Sequence, residues 1–155
     1  VGDKTIQCGR KTDAIKLWFQ WKALGDDGLR ARVDHGMAIA QYWVHRMTGE
    51  CPPGGEGAWV LVSEPSYVNV CFWYVPPSQR PFRFDTATVE QKEQMGKVAP
   101  AIKEHMQNTG QALVGFQSVN GFPNFFRLVL ANVWSVTFAD VDTILETFDR
   151  VGRDL

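Results

Sequence analysis

The 155 residues carry 16 basic and 17 acidic side chains, a formal charge of −1, with 45% hydrophobic and 21% charged residues. That is one domain's worth of chain with an ordinary globular composition, which excludes intrinsic disorder, collagen-like repeats and a polyanion-binding surface built on net charge. The longest apolar run, Val70 to Val75, is far short of the roughly 18 residues of a membrane span, and the three cysteines, Cys8, Cys51 and Cys71, lack the CxxC spacing of a zinc site or the even count of a disulfide framework.

The chain opens at Val1 on the polar stretch VGDKTIQCGRK, with no charged-then-apolar leader. The expectation is a fragment of a longer, cytoplasmic protein with free thiols. From Thr12 to Leu24, residues Ala14, Leu17, Trp18, Trp21 and Leu24 recur at helical spacing, and Gly25 stands where a left-handed cap commonly ends a helix. A second helix is predicted from Asp26 or Asp27, whose carboxylate can accept from first-turn amides. Leu29, Val33, Gly36, Met37, Ala40, Val44 and Met47 would lie on one face of it, and Gly49 would end it.

The stretch GECPPGGEG (49–57) predicts a loop or hinge, because proline lacks an amide donor and glycine has too much backbone freedom. AWVLVSE (58–64) and NVCFWYV (69–75) predict a hairpin turned at Pro65 and Ser66. Thr88 and Gln91 then form a capping box for a helix with Met95, Val98, Ala99, Ile102 and Met106 on one face. Pro100 inside it should cost about 3 kcal/mol unless packing compensates. Strands at 112–119 and 124–131 flank the turn NGFP. A last helix starts near Thr137, with Asp140 completing a second capping box and Val141, Ile144, Leu145, Phe148 and Val151 facing inward. The order α, α, β, β, α, β, β, α favours an α+β fold, an antiparallel or mixed sheet with helices on one face.

Most site chemistries are disfavoured. The glycine cluster Gly54, Gly55, Gly57 leads into a strand rather than a helix, which argues against a nucleotide cradle. His35, His45 and His105 have no paired-ligand spacing, so no metal site is expected. No GxSxG surrounds a serine, and neither the RNA-binding aromatic signature nor a basic charge is present, so no nucleic-acid partner is expected. Arg127 stands out. Alternation groups it with Phe125 and Val129, opposite Phe126, Leu128 and Leu130. An arginine in so apolar a run either snorkels at a sheet edge or points into a pocket to meet an anion.

Three segments, QCGRKTDAIKLWFQWKALG (7–25), EPSYVNVCFWYVPPSQR (64–80) and NFFRLVLAN (124–132), resemble the C-terminal part of the pyridoxal-phosphate-dependent group II acidic amino acid decarboxylases. That family includes cysteine sulfinate and glutamate decarboxylases. KVAPAIKEHM (97–106) and the closing DRVGRDL are similar as well, so the likeness runs almost end to end. It implies the aspartate aminotransferase-type fold (fold type I), with 1–57 as the end of the large cofactor domain and 58–155 as the small C-terminal α+β domain.

The resemblance also implies a carboxy-lyase that works as a homodimer with pyridoxal 5'-phosphate. None of Lys4, Lys11, Lys16, Lys22, Lys92, Lys97 or Lys103 follows a histidine, as the family's cofactor-bearing lysine does. The catalytic lysine, the ring-stacking histidine and the ring-nitrogen aspartate are therefore expected upstream of Val1, and this fragment alone should be inactive. By the same likeness Arg127 matches the family's NFFR arginine, which binds the substrate's acidic group. Cys8 and Gly9 resemble a pocket wall, with Gly9 leaving space beside the substrate. The loop ECPPGGEG, the segment PFRFDTATVEQ and Trp134 depart from the family pattern. The alternatives are an aromatic amino acid or histidine decarboxylase, which NFFR argues against, and a stand-alone amino-acid-binding or interaction module.

Overall fold

The computed structural model describes residues 13–119, 121–130 and 134–155. Helix α1 spans Asp13–Thr48 and is broken at Gly25, whose φ of 64° and ψ of −176° leave the helical region at the expected cap. Only a residue without Cβ takes that conformation cheaply. The chain divides into two compact units, Val1–His35 and Gly36–Leu155.

In the first unit the aromatic stripe is exposed, Trp18 at 55% and Trp21 at 50%, with Phe19 and Val33 more so. The expected backbone cap at Asp26 or Asp27 is replaced by side-chain partners: Trp21 Nε1 donates to Asp26 Oδ1 at 2.5 Å and Arg30 Nη1 to Asp27 Oδ1 at 2.7 Å. An apolar stripe of this size is unusual on a free surface. Purified alone, the chain is expected to associate, so sedimentation should detect species heavier than 17.5 kDa; a monodisperse, cooperatively melting monomer would contradict this.

The second unit holds a four-stranded antiparallel sheet. Strands β1 (Trp59–Leu61), β2 (Asn69–Tyr74), β3 (Gly115–Gln117) and β4 (Phe125–Val129) lie in the order β1-β2-β4-β3. All four are shorter than the apolar runs that announced them. Helices α2 (Val89–Asn108) and α3 (Phe138–Gly152) begin at Thr88 and Thr137, and both predicted capping boxes form. In each, the threonine oxygen accepts the N3 amide while the N3 side chain accepts the threonine amide, satisfying two donors the helix leaves open.

One face of the sheet is closed by these helices. Phe72 stacks on Phe126 with centroids 5.5 Å apart, and Phe148 of α3 meets Phe126 edge-on at 4.7 Å. The C-terminal turns of α1 add Ile39 and Trp43, both buried, to the expected Ala40 and Met47. Burying one such side chain stabilises by about 1.5–3 kcal/mol.

Two local devices fix this layer. The first offsets Pro100. Proline has no amide to give the carbonyl of Gly96, four residues earlier, and Asn124 Nδ2 donates to that oxygen instead at 2.7 Å. The second holds the predicted hinge. Arg80 donates from Nη1 to Gly54 O at 2.7 Å and from Nε to Val75 O at 2.8 Å. Gly54, at φ 82°, packs so close to Asp149 that a Cβ there would lie 2.4 Å from Oδ1. Asp149 accepts in turn from Tyr74 Oη at 2.9 Å and from Arg153 Nη2. Burial first, then the Asp149 carboxylate, push the Tyr74 hydroxyl well above the ordinary tyrosine range, so it remains a donor. The loop 49–57 is thus tied into the core.

Candidate functional site

Among the described residues of the second unit, no helix packs on the second face of the sheet. Strand alternation and register place Val60, Asn69, Cys71, Trp73, Gly115, Gln117, Phe125, Arg127 and Val129 on it. One end is roofed by rings from two loops. Phe82 meets Trp73 edge-on at 5.5 Å, Phe84 stacks on it at 6.2 Å, and Phe122 lies 5.7 Å from it. This roof includes Phe82 and Phe84 of the PFRFD segment.

Beyond the roof Arg127 stands exposed. Its register partners are Cys71 on β2 and Gly115 on β3. One neighbour is a small thiol and the other has no side chain, so neither register partner covers the guanidinium. A Cβ built on Gly115 would have only Arg127 O, at 3.6 Å, within 4 Å. Strand β4 lies between β2 and β3, which rules out the sheet-edge placement. Among the described residues no carboxylate pairs with Arg127 and no side chain accepts a hydrogen bond from it. A guanidinium so placed keeps its fork of donors available to an anion with two matching oxygens.

Of the sequence-predicted site residues, only Arg127 is placed; Cys8 and Gly9 lie outside the described residues. Cys71 and Gly115 flank it, and sequence reasoning missed both. Alternation could have put Cys71 on that face, but Gly115 needed the strand order. Cys51 and Cys71 are free thiols. Among the described residues no cluster of His, Cys, Asp and Glu could hold a metal ion, and no helix is long and apolar enough to cross a membrane.

Among the described lysines none is placed to carry a phosphorylated pyridine cofactor. Lys16 pairs with Asp13 at 3.3 Å, Lys22, Lys92 and Lys103 lie over the rings of Trp18, Phe84 and Phe116, and Lys97 is exposed. None is an enclosed amine ready to form an imine.

A four-stranded antiparallel sheet with helices packed on it, an α+β layer, is the fold this chain shares with fold-type I pyridoxal-phosphate decarboxylases. Over 99% of this chain and 30% of the other, it superposes on the crystal structure of mouse CSAD in apo form with a TM-score of 0.79 and 40% identity. Residues 1–75 match the pyridoxal-dependent decarboxylase conserved domain, and the whole chain is similar to decarboxylases of that kind. All 155 residues align with human cysteine sulfinic acid decarboxylase at 44% identity and with mouse acidic amino acid decarboxylase GADL1 at 42%. The chain spans 29% and 26% of the lengths of these two relatives.

Proposed function

We propose that this chain is the substrate-side, C-terminal part of a pyridoxal-phosphate-dependent carboxy-lyase that removes the α-carboxylate of an acidic L-amino acid, namely cysteine sulfinate, glutamate or aspartate. The observation that carries the reading is Arg127, exposed and unpaired among the described residues on the uncovered sheet face. Its chain is 40–44% identical to decarboxylases of acidic amino acids.

The chemistry decides which substrate group Arg127 takes. When bound, the cofactor supplies an electron sink for the charge left as carbon dioxide departs. A guanidinium on the departing carboxylate would favour the ground state over a transition state that is losing that charge. Arg127 is better placed on the side-chain carboxylate or sulfinate, which keeps its charge throughout and accepts paired, charge-assisted hydrogen bonds. Cys8 and Gly9 line the same pocket in this reading. The cofactor is held mainly by residues outside this chain, 1–57 close the large domain and 58–155 form the small one. The parent works as a homodimer in the cytoplasm.

The parent protein is expected to release carbon dioxide from at least one of the three acidic substrates. Residues 1–155 alone should release none and should not develop the cofactor's visible absorption band. A stoichiometric band on the isolated chain, abolished by one lysine substitution and regained on reversion, would place the cofactor's attachment here and overturn the division of labour.

A further inference from the structure

Arg127 can grip a substrate only if β4 holds it in place, and β4 is entered through Pro123 and Asn124, where two elements converge. From α2, the Gly96 carbonyl left without an amide by Pro100 accepts from Asn124 Nδ2 at 2.7 Å. From β2, Trp73 Nε1 donates to Pro123 O at 3.3 Å. The proline that weakens α2 thus creates the acceptor that fixes the start of β4. The anchor lies three residues before Arg127, roughly 10 Å of extended chain.

We propose that Asn124 is a positioning residue for Arg127, setting through the Gly96 carbonyl where the guanidinium meets the substrate's acidic group. This rests on the reading of Arg127 given above. The core contact of Phe126 with Phe72 prevents a full slip in register. Loss of the Asn124 bond therefore leaves β4 paired but displaces it slightly, and displacements of about 1 Å at a reacting pair can cost on the order of a hundredfold in rate.

The test uses the full-length parent and reads kcat/KM with cysteine sulfinate, glutamate and aspartate beside the unfolding midpoint. Asn124→Ala should lower kcat/KM about tenfold or more, chiefly through KM, with cofactor absorption unchanged. Adding Pro100→Ala returns an amide to the Gly96 carbonyl, so the double variant should regain the midpoint but not the kinetics. In an Arg127→Met background, Asn124→Ala should cost less than twofold. Joint recovery of midpoint and kinetics in the Pro100→Ala double variant would reduce Asn124 to a structural role and overturn the proposal. So would an undiminished Asn124→Ala effect in the Arg127→Met background, or less than a twofold change for Asn124→Ala alone. If Arg127→Met itself leaves kcat/KM unchanged, the reading of Arg127 fails, and the proposal falls with it for that separate reason.

Discussion

Replacing Arg127 with Met in the parent protein is expected to lower kcat/KM for its acidic substrate by roughly a hundredfold to several thousandfold, leaving cofactor absorption intact. Met is of comparable length and carries no charge, so the change removes the guanidinium and little else. In the fragment that group is exposed on the uncovered sheet face; in the working enzyme the bound substrate and the rest of the protein would desolvate it. Removing one member of a desolvated ion pair costs about 3–5 kcal/mol because the other charge is left buried and unpaired. At about 1.4 kcal/mol per tenfold, that is the stated loss. Were Arg127 only a solvent-facing charge, the loss would stay below about 1 kcal/mol. A change of less than fivefold with glutamate, aspartate and cysteine sulfinate alike would end the assignment.

Local chemistry was the legible part of this fold. Both capping boxes, at Thr88 with Gln91 and Thr137 with Asp140, are complete within four residues, so sequence order and structure coincide. The inner faces of α2 and α3 were equally plain, since Val141, Leu145 and Phe148 repeat at helical spacing and are fully buried. What escaped depends on contacts between distant segments. The order β1-β2-β4-β3 sets Gly115 beside Arg127, and no periodicity within either strand encodes that. The cost of Pro100 was legible, while its remedy, Asn124, lies 24 residues on. The glycines of 49–57 announced a loop, and only the partners of Arg80 and Asp149 in three dimensions reveal that the loop is anchored. Arg127 was ambiguous by alternation; the resemblance singled it out, and its place on an interior strand needed the strand order.

Gly152→Ala is expected to destabilise the protein by about 1–3 kcal/mol, although glycine to alanine in a helix ordinarily stabilises by about 0.5–1 kcal/mol. A Cβ at position 152 would lie 2.3 Å from Tyr74 Cε1, 2.6 Å from Cδ1 and 2.9 Å from Ile102 Cδ1, distances no packed carbon tolerates. The ring cannot retreat. Its hydroxyl is held by Asp149 at 2.9 Å, and Trp59 stands edge-on against it with centroids 5.1 Å apart. Tyr74 and Ile102 are both essentially sealed from solvent, so any shift spreads into a close-packed core. Gly96 provides the opposite case. It lies inside α2, and its added Cβ would meet only Pro123 Cβ, at an ordinary 4.0 Å, so Gly96→Ala should raise the unfolding midpoint as helix propensity dictates. The same chemical change thus takes opposite signs at two helical glycines because only one faces a pinned ring. Midpoints of the two variants measured side by side would decide, and a Gly152→Ala protein as stable as the original would mean that Tyr74 is free to move. Pairing Gly152→Ala with Tyr74→Leu, which removes the obstructing ring, should cancel most of the penalty that the alanine carries alone.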